Sequence, residues 1–155
     1  MIGRAIKASS FILRGARMSD PARLAEIAVA SYRVAFCEIL AAESLAKCDA
    51  LFFAPRFERE SERIRLAEKD GAPLGFTLVT QAHLDMLFVS PDQTGQGIGA
   101  ALLADAEARG ARTLEIFRDN RAARRFYERH GWLVARSYER DFLGRSYAFV
   151  HYAKP

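Results

Sequence analysis

The sequence predicts an α/β fold, with one mixed sheet covered by helices. Three observations predict it. Strand-like and helix-like segments alternate through the middle of the chain. Residues 63–68 (RIRLAE) and 74–80 (LGFTLVT) flank a Lys-Asp-Gly-Ala-Pro turn, which adds an antiparallel hairpin. Residues 84–103 (LDMLFVSPDQTGQGIGAALL) read as strand, glycine loop and helix.

The elements follow in order. Residues 10–17 (SFILRGAR) are β-prone and open the fold as a strand. Asp20 and Pro21 supply a cap and a first helical residue. Leu24, Ile27, Ala28 and Ser31 then recur at helical spacing to about Arg33. A second helical region covers 41–59, with Pro55 expected to interrupt it. Its Leu45, Leu51, Phe52, Phe53 and Phe57 read as core or lid packing. After the hairpin, 82–89 form a strand that leads into the glycine loop. A helix then runs from about Gly99 to Ala108, and Gly110 stops it. Residues 112–117 (RTLEIF) form a strand. Asp119 or Asn120 caps a helix through Arg129, with Gly131 at its C-terminal stop. Strands 132–140 and 146–152 close the chain, turning at Leu143-Gly144. The predicted order is β α α β β β α β α β β.

At 155 residues the chain is read as one domain, 1–155, with residues 1–9 as a mobile lead-in. Its longest apolar runs are too short to span a bilayer, and the first residues lack the apolar region of a secretory signal. Cys37 and Cys48 read as reduced thiols, so a cytoplasmic location is expected. The net charge of +4 suits an anionic ligand, but it is too small and dispersed to argue for nucleic acid. No His/Cys/Asp/Glu cluster has metal-ligand spacing, and no metal is expected.

The glycine loop has a chemical reading. Gly95, Gly97 and Gly99 permit positive φ and let an anion reach the main chain without meeting a Cβ. Successive N–H groups at a helix start bind phosphate. A triphosphate loop is excluded because no Gly-Lys-Ser/Thr follows. A dinucleotide fingerprint fits Gly95, Gly97 and Ala100 loosely, with Glu115 downstream, but that fold needs more strand–helix units than remain. A pyrophosphate loop for coenzyme A is the third reading.

Two motifs carry a resemblance. One is Leu87-Phe88-Val89-Ser90-Pro91 followed by Gly95-Gln96-Gly97-Ile98-Gly99-Ala100. The other is Asn120-x-x-Ala123-x-x-Phe126-Tyr127-x-x-x-Gly131-Trp132. In this order and separation they resemble the GNAT superfamily of acyl-CoA-dependent N-acetyltransferases. The resemblance implies a central mixed sheet of about six to seven strands flanked by about four helices. The implied activity is acetyl transfer from acetyl-CoA to a primary amine, by direct attack in a ternary complex. The competing reading is a non-catalytic acyl-CoA sensor or interaction module. The family's loop motif usually opens with Gln or Arg. Thr94 stands there in this chain beside Gln93, which removes a side chain but no backbone donor.

The resemblance also implies site residues. Main-chain groups of Leu87, Phe88 and Val89 pair with the pantetheine chain, and a backbone N–H there faces the thioester oxygen. Thr94, Gly95, Gln96, Gly97, Ile98, Gly99 and Ala100 hold the pyrophosphate. Asn120, Phe126 and Tyr127 also meet the coenzyme. Tyr127 lies seven residues after Asn120, on the same helix face, and serves the leaving thiolate. A phenol of pKa about 10 facing a thiol of about 8.5 makes full proton transfer uphill by about 2 kcal/mol. A hydrogen bond to the thiolate, or a lowered Tyr127 pKa, is therefore expected.

His83 and Asp85 lie two apart on a strand and share a face. An acidic residue near this place accepts the amine proton in many members of the family. His83 is the candidate base and Asp85 its orienter or an ammonium ligand, while Glu115 suits a cross-strand partner better. Some of Arg118, Arg121, Arg124, Arg125 and Arg129 meet the coenzyme's 3′-phosphate, and the others form a solvated face. His130 reads as a helix-end residue. The acceptor is a small-molecule or peptide amine bounded by 32–58, 63–80 and 132–152. Glu38, Glu43, Asp49 and Glu58 could attract a cation. The resemblance leaves open a homodimer through the last strand or the sheet edge.

Overall fold

A computed structural model of the protein describes residues 10–155, and the lead-in expected at 1–9 lies outside them. The elements are β1 (Ile12–Gly15), α1 (Pro21–Phe36), α2 (Ala42–Lys47), α3 (Ala50–Arg59), β2 (Ile64–Lys69), β3 (Ala72–Thr80), β4 (His83–Val89), α4 (Ile98–Ala108), β5 (Thr113–Phe117), α5 (Arg121–Arg129), β6 (Leu133–Phe142) and β7 (Arg145–Ala153). The strands form one sheet in the order β1-β2-β3-β4-β5-β7-β6. All neighbours are antiparallel except β4 and β5.

Helices cover both faces. On one, Leu24, Ile27 and Ala28 of α1 and Phe53 and Phe57 of α3 pack on Leu66, Phe76, Leu78 and Met86 of the sheet. On the other, Leu103 and Ala106 of α4 and Tyr127 of α5 pack on Val79, Leu84, Leu114 and Val150. Burial of these large apolar side chains is the main stabilising term, about 1.5–3 kcal/mol for each.

Two local expectations are corrected. Pro55 does not interrupt the second helical region but sits inside α3. The break falls at Cys48-Asp49 instead, where the Asp49 side chain accepts the Phe52 N–H at 3.0 Å and starts a new helix. There are consequently five α-helices among the described residues rather than four. Asp20 precedes α1, with Pro21 at its start, but its side chain makes no cap bond. Arg14 claims that carboxylate, at 2.8 and 3.1 Å, and the Arg17 N–H reaches it at 2.6 Å. A charge-assisted bidentate pair outcompetes a neutral amide.

β4 carries a bulge. Leu78 faces Met86 and Val79 faces Leu84, so Asp85 has no partner in the ladder. Leu84 therefore packs among the α4 and α5 residues, while Met86 packs among those of α1 and α3.

Candidate active site

β4 and β5 pair at only two positions, His83 with Thr113 and Leu84 with Leu114. Beyond them the strands part, while β5 stays paired with β7 along its whole length. The parting opens a cavity of about 230 Å³. Leu84, Asp85, Met86, Leu87 and Phe88 wall it on one side, and Leu114, Glu115, Ile116 and Phe117 on the other. Asn120, Ala123 and Tyr127 also line it. A strand that leaves its neighbour leaves backbone N–H and C=O groups unpaired, and an extended amide chain can use them.

A second cavity, of about 310 Å³, lies at the glycine loop. Val89, Thr94, Gly95, Gly97, Ile98, Gly99, Ala100 and Phe126 line it, together with Gln93, Arg129 and His130. Gln96 is absent from this lining, and its side chain donates to Gln93 at 3.0 Å. Gly95 and Gly97 both have φ of +80°, which accounts for these two glycines. The same expectation for Gly99 is corrected: it lies inside α4 without positive φ, and a Cβ there would meet the Phe126 ring at 3.7 Å. Gly97 begins α4 with no side-chain cap and no acidic residue in the first turn. The first-turn N–H groups of a helix have no intrahelical acceptor, so this end suits a pyrophosphate.

Asn120 caps α5, its side chain accepting the Ala123 N–H at 3.2 Å. The cap aims the helix so that Tyr127, two turns on, reaches the first cavity. Burial pushes the Tyr127 phenol well above its ordinary range. The direction is opposite to the lowered Tyr127 pKa that the sequence offered as one of two alternatives.

His83 and Asp85 do share a face, with Nε2 3.8 Å from Oδ1. Asp85 lines the first cavity and His83 lies outside its lining. The His83 Nδ1 is 2.9 Å from the Thr113 hydroxyl, and its ring stacks on His151 at 6.2 Å. The Thr80 hydroxyl donates to Asp85, and Arg56 reaches the same carboxylate at 3.3 Å. Glu115 enters the cavity opposite Asp85. Burial works against its charge, yet hydrogen bonds from Arg140 and Tyr138 hold its carboxyl below the usual range. Arg140 donates to Glu115 at 3.0 Å and lies 4.1 Å over the Phe149 ring.

Of the segments expected to bound an acceptor, 32–58 and 132–152 reach the first cavity. Tyr32, Phe36, Arg56, Arg140, Phe142 and Phe149 line the cavity, while residues 63–80 contribute nothing to the lining. Glu38, Glu43, Asp49 and Glu58 are not in it. Glu43 pairs with Arg145 at 2.7 Å, and Asp49 caps α3. Of the five arginines around α5, Arg129 alone lines the glycine-loop cavity. Arg124 donates to the Tyr152 hydroxyl at 3.0 Å. The Glu115–Arg140–Tyr138 group escaped sequence reasoning because it joins residues more than twenty apart. Alternation in 133–142 is the one signal that could have placed Tyr138 and Arg140 on a shared face.

Among the described residues no group of three His/Cys/Asp/Glu side chains could hold a metal ion. Nor is any helix there long and apolar enough to cross a membrane.

Known proteins share this arrangement. The acetyltransferase (GNAT) domain profile matches residues 41–154. The chain is 37% identical to peptidyl-lysine N-acetyltransferase YjaB of Salmonella typhimurium over 84 residues, 54% of this chain and 58% of that protein. Its matches span about three fifths of the length of the curated relatives. The solution structure of apo-form YjaB from Escherichia coli superimposes with a TM-score of 0.79 and 27% identity, over 92% of this chain and 96% of that one. The PaiA N-acetyltransferase of Thermoplasma acidophilum, in complex with coenzyme A, shares the fold at a TM-score of 0.74 and 21% identity, over 94% and 99%. With both motifs seated on the two cavities and the profile covering most of its length, the chain belongs to the acetyltransferase (GNAT) family.

Proposed function

We propose that the protein transfers an acetyl group from acetyl-CoA to a primary amine by direct attack in a ternary complex. The observation that carries the reading is the parting of β4 from β5 after two pairs, with Tyr127 on the wall of the cavity it opens. The amine is that of a small molecule or a peptide. A lysine side chain is the favoured acceptor, because the aromatic wall of Tyr32, Phe36, Phe142 and Phe149 suits an aliphatic stem and Asp85 and Glu115 suit its ammonium. The name of the Salmonella relative points the same way.

Acetyl-CoA supplies a thioester carbonyl that a neutral amine attacks and a thiolate that leaves. The chain supplies the rest. The first turn of α4 and residues 94–100 bind the pyrophosphate, and Asn120 and Phe126 flank the coenzyme. Main-chain groups of Leu87, Phe88 and Val89 hold the pantetheine amides, and an N–H there stabilises the oxyanion. Tyr127 donates a hydrogen bond to the departing sulfur. His83, held beside Asp85, takes the proton released by the amine, through water where it stands back from the cavity. Burial pushes the Cys48 thiol up to about 11, which suits direct transfer and leaves that sulfur a poor nucleophile. We place 1–155 in one catalytic domain acting in the cytoplasm.

Acetyl-CoA calorimetry followed by thiol release across an amine panel tests the reading. Micromolar binding with amine-dependent release supports it. Binding without release on any amine or lysine peptide leaves a coenzyme sensor instead.

A further inference from the structure

Two arginine–carboxylate pairs line the first cavity, Arg140 with Glu115 and Arg56 with Asp85, and they are built differently. Arg140 holds Glu115 at several points. Its Nε stands 3.0 Å from both carboxylate oxygens, its Nη2 reaches Oε1, and the Tyr138 hydroxyl donates to Oε2. The guanidinium also lies 4.1 Å over the Phe149 ring and donates to the Asp141 carbonyl at 2.9 Å. Both oxygens of Glu115 are occupied, and a single ammonium does not displace a multiply bonded guanidinium.

Arg56 meets Asp85 through one contact. Its Nη2 reaches Oδ2 at 3.3 Å, which is long for a charged pair. The firmer attachment of this guanidinium lies elsewhere, where Nε donates to Glu60, one turn on, at 2.6 Å. The Arg56 side chain is 36% exposed, so water screens its hold on Asp85. Asp85 keeps a partner without Arg56, because the Thr80 hydroxyl donates to the same oxygen. Its other oxygen, Oδ1, faces His83 Nε2 at 3.8 Å, beyond hydrogen-bond reach. Asp85 also stands in the bulge of β4, without a ladder partner, and lines the cavity that His83 does not line. An amine seated on Asp85 is therefore delivered beside the ring proposed to take its proton.

We infer that Arg56 is an internal cation standing on the acceptor's ammonium site. An arriving lysine ammonium takes Asp85 from it, and Arg56 stays attached to Glu60. Arg56 thereby sets how tightly a cationic acceptor binds. The inference rests on the acceptor reading above and narrows it, since it gives the ammonium to Asp85 and leaves Glu115 as a fixed wall.

A competitor and a ligand respond to removal in opposite directions, and that difference supplies the test. Wild type, Arg56→Gln, Asp85→Asn and the double variant are compared by acetylation kinetics on an end-blocked lysine tripeptide. Calorimetry of that peptide and of its norleucine counterpart, which lacks the amine, is run on the coenzyme A-loaded protein. Arg56→Gln should lower KM for the lysine peptide and raise kcat/KM, each about fivefold. Its affinity for the norleucine peptide should match that of the wild type. Asp85→Asn should raise the lysine KM, and adding Arg56→Gln to it should bring no gain. A cooperative thermal transition in each variant shows that it is folded. A lysine KM that rises or holds in Arg56→Gln overturns the inference, as does a gain that survives Asp85→Asn or extends to norleucine. A wild type that binds coenzyme A but neither binds nor acetylates the lysine peptide removes the acceptor reading instead.

Discussion

Tyr127 shows how a residue's surroundings select among the things its chemistry allows. A phenol beside a leaving thiolate can transfer its proton or only share it. Burial raises the Tyr127 phenol, which in the proposed reaction favours sharing over transfer. Tyr127→Phe should lower turnover about 10²-fold while coenzyme affinity stays within about twofold. Steady-state kinetics beside calorimetry check both halves, and an unchanged turnover would remove the donor. Glu115 is a second case. Its carboxyl lies low because Arg140 and Tyr138 hold it against the cost of burial. In Arg140→Ala that carboxyl should titrate higher, as followed by carbon-13 NMR of the side-chain carboxyls. A titration that stays low would mean that Arg140 is not what holds it.

Among the elements, β4 and the turn after it position the site. Gly75 of β3 faces Val89, and a Cβ there would lie 2.7 Å from the Phe88 carbonyl oxygen and 3.1 Å from the Val89 Cα. Backbone cannot yield as a side-chain tip can. Gly75→Ala should therefore cost about 1–3 kcal/mol of stability. It should also weaken coenzyme binding by displacing the strand that carries Leu87, Phe88 and Val89. Chemical denaturation and calorimetry measure the pair, and a variant as stable as the wild type would show that β3 moves aside freely. Local chemistry made much at this scale legible in the sequence. Gly95 and Gly97 announced positive φ, though Gly99 did not take it, Asn120 announced a cap, and the Lys-Asp-Gly-Ala-Pro turn announced its hairpin. Competition at a distance hid the rest. Asp20 is drawn off its helix by Arg14, and Asp49 restarts the helix that Pro55 was expected to break. The unpaired Asp85 depends on the register of β3 against β4, and no local pattern in 82–89 reveals it.

The described residues form one sheet that opens at one seam, between β4 and β5. The protein's stability should depend on pH at both extremes. Hydrogen bonding to Arg14 outweighs burial and lowers the Asp20 carboxyl below its ordinary 3.8. A lowered carboxylate contributes stability that is present above its unfolded pKa and is lost as the pH falls through the folded one. The acid limb should therefore lie below pH 4, and Arg14→Ala should move it upward. Tyr127 and Tyr32 are raised by burial, so the folded state keeps their protons after the unfolded chain has released them. Their effect is absent below about pH 10 and erodes stability above it. Denaturation midpoints across pH read both limbs, and a flat profile down to pH 2 would contradict the role given to Asp20.

Mapping backbone amide shifts while coenzyme A is titrated into the protein tests whether the glycine loop and the β4–β5 opening are one coenzyme site. Changes are expected along one track, from the amides of 94–100 through Val89, Phe88 and Leu87 to Tyr127, with β1 and β2 unmoved. Changes centred elsewhere, or none at saturating coenzyme, would contradict it.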